Sequence, residues 1–350
     1  MEDCLLGYSL PELEEFLKGM GEKPFRAKQL YGWLQKGADF DEMRNLPAVF
    51  REKLKVTERA VGVSILKTLR SEKDGTEKYL FSLHDGNVVE GVLMRYHYGN
   101  TLCISSQVGC RMGCRFCAST LEGRVRDLTA GEMLGEVVTV NALHSEGDKR
   151  GITNIVMMGS GEPLDNYDNV IKFLQLVSAP EGLNISLRNI SVSTCGLCDK
   201  MNELAQLKLP ITLSISLHAT TDEARQKIMP IANRYSVARL LKACRDYVNL
   251  VGRRIVFEYA LIEGVNTSLE DADRLADLLK GLLCHVNLIP LNDVKERNLT
   301  APSQKGIVAF QKRLEERGVS VTRRREMGAD IEGACGQLRR KHLETEGKKP

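Results

Sequence analysis

Three cysteines fall within eight residues of one another, at Cys110, Cys114 and Cys117. Thiolates are soft ligands, so three at this spacing can converge on one metal centre. A structural zinc site normally closes with four ligands in paired spacings that differ from this one. Cys103, seven residues upstream, could supply a fourth, which keeps a Cys4 zinc knuckle open. A thioredoxin-type redox pair needs no third cysteine. The remaining reading is a four-iron cluster held by three thiolates, with one iron left open for nitrogen and oxygen donors of a substrate.

Other chemistry-bearing residues recur further along. Met158, Gly159, Ser160, Gly161, Glu162 and Pro163 form a glycine-rich stretch whose backbone can approach a ligand closely, with Glu162 placed to accept hydrogen bonds from an ammonium group. Ser193, then Ser216, Leu217 and His218, then Asn292 each follow an apolar run. Read singly, each is an ordinary satisfied polar group. Cys195 and Cys198 form a CxxC pair with nothing else marking a redox or zinc site, and Cys4, Cys244 and Cys284 read as small hydrophobes.

These residues need elements to position them. Beyond Cys103 the pattern alternates strand and helix, with strands expected over 152–158, 190–193, 211–217, 255–261, 286–289 and 319–322. Thr129 and Glu132 form a capping box ahead of a helix between the first of them and the cysteines. Successive βα units predict a parallel sheet that closes into a whole or partial (β/α) barrel, with a doubly wound open sheet as the alternative. Ligands of such sheets bind where the strands end, which brings the dispersed polar residues to one edge. Before the cysteines, Ser9 and Glu12 cap one amphipathic helix, and Ala27, Leu30, Tyr31 and Leu34 line a second. From 61 to 103 the period becomes strand-like, with Asp85 and Gly86 as a hairpin turn. The expected fold is therefore α/β. A helical domain spans 1–58 and a short antiparallel extension 59–102, followed by the (β/α) core over 103–325 and a C-terminal segment over 326–350.

Composition supports a globular chain: 350 residues, 43% hydrophobic and 27% charged. Ten cysteines in so long a chain do not read as a secreted disulfide scaffold. The N-terminus shows no basic segment leading into an apolar stretch, and no apolar run nears the ~18 residues that suggest a membrane span. A reducing cytoplasm is the expected compartment, with no membrane association. The net charge of +3 neither requires nor excludes a nucleic-acid partner, but basic clusters occur at Arg111, Arg115, Arg124 and Arg126 and at Arg323, Arg324 and Arg325.

The 110–117 spacing, with Phe116 just before the last cysteine, resembles the radical-SAM superfamily signature. The wider sequence is similar to the RlmN/Cfr family of radical-SAM RNA adenine methyltransferases. That likeness rests on the stretch from Leu102 through the cysteines, on Met158 to Pro163, and on Ala334 to Leu338; Pro24 to Leu30 and Asp85 to Glu90 also match. The resemblance implies a [4Fe-4S] cluster on Cys110, Cys114 and Cys117, and two molecules of S-adenosylmethionine per turnover. Gly161, Glu162, Ser193, Ser216, Leu217, His218 and Asn292 match the family's S-adenosylmethionine contacts.

The same likeness implies a course for the reaction. Cys335 takes a methyl group from the first S-adenosylmethionine, and the second yields a 5′-deoxyadenosyl radical that abstracts hydrogen from it. The methylene radical adds to C2 of an adenine, Glu90 is the proton acceptor, and Cys103 resolves the adduct through a transient disulfide with Cys335. Read alone, Cys335 is a structural thiol and Glu90 a solvent-facing strand residue. The implied substrates are an adenosine in the peptidyl-transferase region of large-subunit rRNA and, for many members, one in the tRNA anticodon loop, docked by the helical domain. A flavodoxin or ferredoxin as electron donor and a monomeric enzyme complete the expectation. The alternatives are a C8-specific relative and a non-catalytic, zinc-containing RNA-binding protein.

Overall fold

The computed structural model describes residues 4–147, 149–291 and 299–331. Three helices come first: α1 (Leu10–Gly19), α2 (Phe25–Leu34) and α3 (Ala48–Thr57). The Ser9 hydroxyl accepts from the Glu12 N–H, and the Glu12 carboxylate accepts from the Ser9 N–H at 2.7 Å. Such a cap contributes about 1 kcal/mol and sets where α1 begins.

The antiparallel strands β1 (Val63–Arg70), β2 (Glu77–Leu83) and β3 (Val88–Tyr96) follow. Asp85 and Gly86 turn the chain between β2 and β3, with Gly86 at φ +79°, as expected for a tight hairpin. Next comes β4 (Gly99–Cys103), antiparallel to β3 on one side and parallel on the other to β7 (Asn154–Met157). The extension and the core thus share one continuous sheet, joined at the strand that ends in Cys103. A small separate hairpin, β5 (Gln107–Gly109) with β6 (Arg124–Asp127), was not anticipated from the sequence.

The parallel part runs from β7 through β8 (Ile190–Thr194), β9 (Thr212–Ser216), β10 (Ile255–Leu261) and β11 (Cys284–Pro290) to β12 (Val321–Arg323). Its helices are α4 (Ala130–His144), α5 (Tyr167–Ser178), α6 (Cys198–Gln206), α7 (Asp222–Ile228), α8 (Val237–Val251), α9 (Leu269–Leu279) and α10 (Gln304–Glu316). Strand order is β1-β2-β3-β4-β7-β8-β9-β10-β11-β12, and β1 does not pair with β12. The sheet is therefore a partial barrel, open between its edges, as the βα alternation predicts.

Helix α4 is apolar almost all round because it is covered on both sides, by the sheet and by the N-terminal segment. A Cβ at Gly131 would meet Cys4 Sγ at 2.8 Å and Gly7 Cα at 3.0 Å, so that contact requires glycine. The helical unit is held further by Lys172 Nζ to Glu12 Oε1 at 3.1 Å and by the Leu183 N–H donating to Gln35 Oε1 at 3.2 Å. Among the described residues no helix is long and apolar enough to cross a membrane.

Candidate active site

The β5–β6 hairpin forms the base of the cysteine loop. Gly109, at φ +74°, lets the loop close on itself: a Cβ there would lie 2.0 Å from the Gly123 carbonyl oxygen. The Cys110 N–H donates to that same carbonyl at 2.9 Å. Arg111 grips Asp165 with two hydrogen bonds of 2.9 and 2.5 Å, and the Thr120 hydroxyl donates to the carbonyls of Cys114 and Cys117. Such bidentate contacts fix geometry as well as adding energy.

Cys110, Cys114 and Cys117 line one cavity of ≈ 270 Å3, shared with Gly161, Glu162, Ser193, Ser216 and His218. Burial, and then the charge of neighbouring Cys117, pushes the Cys110 thiol up to about 12, and Cys114 is raised for the same reasons. The donor set fits an iron–sulfur cluster: three soft sulfurs in an apolar surround, beside a space for a ligand. Among the described residues no three His, Cys, Asp or Glu side chains are drawn onto a single metal-binding point. Cys103 does not join the three cysteines around their cavity. The closed Cys4 zinc site thus lacks its proposed fourth ligand.

The rest of the cavity is built from strand ends. The stretch after β7 nests against residues 104–107: a Cβ at Gly159 would lie 2.6 Å from Ile104 O, and one at Gly161 2.6 Å from Ser106 Oγ. Gly161 sits at φ +107°, where a side chain would also be strained. Glu162 is buried; its carboxylate accepts from Cys195 N–H at 2.7 Å and Leu164 N–H at 3.1 Å. Burial nonetheless leaves it above the ordinary carboxylate range.

His218 lies just beyond β9 in a left-handed conformation at φ +56°, costly for a histidine unless its surroundings hold it there. Its Nδ1 accepts from the Ala260 N–H at 2.9 Å, which places the ring proton on Nε2. Burial, aided by the Arg225 charge, lowers its pKa to about 3, so the ring stays neutral. Phe116 meets it edge-on at 4.6 Å between centroids, tying the cysteine loop to the β9 edge.

The Leu217 side chain belongs to the main core and does not line the cavity. Its carbonyl instead accepts from Arg225 Nε at 3.1 Å. Fully buried Arg225 also donates to the carbonyls of Cys195 at 2.7 Å and Ser216 at 3.1 Å, so it ties the ends of β8 and β9 beneath the cavity. Sequence reasoning missed this residue. Its position in a polar helix start reads as solvated charge. Asn292 lies outside the described residues.

A second region adjoins the first. Cys103 is buried on the inner face of β4 with Val92 and Met94, packed by Val156, Met158 and Met327. Met158 also lines the cysteine cavity, so it bridges the two regions. Glu90 is only 4% exposed, which overturns its reading as a solvent-facing residue. It pairs with fully buried Lys78 at 3.2 Å.

The chain then comes back towards Cys103 from its C-terminal side. Gly328 N–H donates to Asp74 Oδ2 at 2.9 Å, while Ser71 Oγ and the Glu72 N–H donate to the Asp330 carboxylate at 2.6 and 3.0 Å. Cys335, four positions after Ile331, lies outside the described residues.

A further opening of ≈ 440 Å3 reaches the same chamber from the start of the parallel strands. It shares Met158, Glu258 and Arg324 with the cysteine cavity. At its rim stand Arg188, Arg323 and Arg325, with Tyr96 and Tyr98 stacked at 4.9 Å.

Comparison with known proteins gives a consistent result. Residues 104–279 match the radical SAM superfamily, and residues 4–59 match the ribosomal RNA large subunit methyltransferase N-terminal domain. The chain is 55% identical over 335 residues to a Lachnospira eligens protein named "Probable dual-specificity RNA methyltransferase RlmN", covering 95% of each. It is 52% identical to a Clostridium perfringens protein of the same name, covering 99% of each. A crystal structure of a radical SAM methyltransferase from Sphaerobacter thermophilus superposes with a TM-score of 0.91 at 41% identity, covering 95% of this chain and 98% of that one.

Proposed function

The chain belongs to the RlmN family of radical SAM RNA methyltransferases, and from that premise we propose that it methylates C2 of an adenosine in large-subunit rRNA and in the tRNA anticodon loop. Enzymes of this superfamily work with a [4Fe-4S] cluster and S-adenosylmethionine. The bound cluster supplies the electron that initiates radical chemistry, and Cys110, Cys114 and Cys117 are its proposed ligands. Gly161, Glu162, Ser193, Ser216 and His218 are proposed to hold S-adenosylmethionine, with Asn292 completing the set. Glu162 accepts from an ammonium group, and His218 Nε2 donates into the cavity.

One observation carries this reading. Met158 lines the cysteine cavity and also packs against the Val92, Met94 and Cys103 cluster, against which Met327, eight residues before Cys335, packs too. This adjacency supports placing radical generation and the proposed cysteine chemistry next to one another. There Cys335 serves as methyl carrier, through its thiolate. Glu90 accepts the proton leaving C2, and Cys103 releases the modified base through a transient disulfide with Cys335. The adenosine must leave its stack to reach them. The second opening, with arginines for phosphate and a tyrosine pair for base stacking, is its proposed route. A cytoplasmic monomer supplied by a flavodoxin- or ferredoxin-type donor fits this role.

An anaerobic assay with reconstituted protein and both RNAs tests the proposal. The expected product is 2-methyladenosine in each. An 8-methyl product would sink the C2 assignment, and a colourless zinc protein without S-adenosylmethionine cleavage would sink the enzyme reading itself.

A further inference from the structure

Lys78 and Glu90 form a buried ion pair on a sheet face that also carries Val88, Val92 and Met94. In the antiparallel register Lys78 faces Val92, and Val92 faces Cys103, so these three side chains share one row and one face of β2, β3 and β4. Glu90, two residues before Val92, points to that same face. Tyr79, Phe81, Val89 and Leu93 alternate onto the opposite face and join the main core. The pair therefore belongs to the chamber side, beside Cys103, and its two charges lie 3.2 Å apart.

Such a pair is a weak way to stabilise a fold. Desolvating both charges offsets most of their attraction, and well-packed apolar residues in their place are commonly neutral or stabilising. Removing one partner of such a pair, however, leaves the other charge buried without its counter-ion. The neighbouring ammonium fixes the direction in which the carboxylate points.

We infer that Lys78 is a positioning residue for RNA methylation, holding the Glu90 carboxylate in place on the chamber face beside Cys103. The inference rests on the reading of Glu90 as proton acceptor. In that step the proton leaving C2 passes to a Glu90 oxygen, while Lys78 keeps its own and stays the counter-charge throughout.

The test compares K78M, K78R, E90Q and K78M/E90Q with the parent enzyme, using reconstituted full-length protein and RNA. K78M should lower kcat about 100-fold while KM for RNA changes less than about threefold. Methylation of Cys335, read by mass spectrometry without RNA, should persist. K78R should recover roughly tenfold over K78M, because it restores the charge but not the shape. The double variant should be no slower than E90Q, since Lys78 acts through Glu90. K78M turning over at the parental rate while E90Q is inactive would overturn the inference alone. Loss of Cys335 methylation in K78M would also overturn it, by making the pair a structural element. A fully active E90Q would instead remove the acceptor reading beneath it.

Discussion

The cavity around the three cysteines and the neighbouring face around Cys103 are built in opposite ways. The first is a loop with a dense motif, closed by a hairpin and pinned by Arg111 to Asp165. Its chemistry is compact in sequence because one centre needs several ligands from adjoining positions. The second draws Lys78, Glu90, Cys103 and Met327 from four separate stretches through strand register and a returning segment. A site carried by one loop can be specified by spacing, whereas a site assembled from several strands is specified by the register of the sheet.

The comparison can be broken at several points, beginning with the largest effect. C114A should remove iron and bring S-adenosylmethionine cleavage and RNA methylation both to background, read by iron content and product analysis. Parental cleavage by that variant would remove the cysteine loop from the chemistry. C103A should behave differently: cleavage persists, but RNA stays attached to the protein after one turnover, visible as a shifted band on a denaturing gel. Free methylated RNA over many turnovers would contradict the resolving role.

A smaller effect is expected at His218. Asparagine tolerates its left-handed backbone, so H218N should fold yet bind S-adenosylmethionine about tenfold more weakly by calorimetry, as for one lost hydrogen bond. The same residue sets a pH dependence. Its folded pKa of about 3 lies below the ordinary histidine value of 6.5, so the unfolded chain binds the extra proton as pH falls through 6.5. The contribution to stability is whole above that value and declines below it, by roughly 2 kcal/mol at pH 5. Denaturant melts of H218N should lack this component. The smallest effect is expected at the returning segment: D330N should slow RNA methylation about three- to tenfold, roughly one weakened charged hydrogen bond, without altering S-adenosylmethionine affinity.

Much of the scaffold was legible because its signals are local. The capping boxes at Ser9 and Thr129 start α1 and α4 as read, and Asp85-Gly86 turns the β2–β3 hairpin. The cysteine loop and the polar strand ends were legible for the same reason, since βα alternation places successive strand ends at one edge. Lys78 was not, because a lysine beside Glu77 and Tyr79 gives no sign that alternation turns it inward. Arg225 was missed because its value lies in three carbonyls from two strands.

The most direct test of the central claim uses S-adenosylmethionine fully deuterated in its methyl group, followed by mass spectrometry of nucleosides from RNA after many anaerobic turnovers. Passage through an S-methyl group on Cys335 loses one deuterium to hydrogen abstraction and gains one hydrogen on release. The expected product is therefore 2-methyladenosine with two deuteriums in the new methyl group. A product retaining all three would mean direct transfer of an intact methyl group, and would contradict the proposed passage through Cys335.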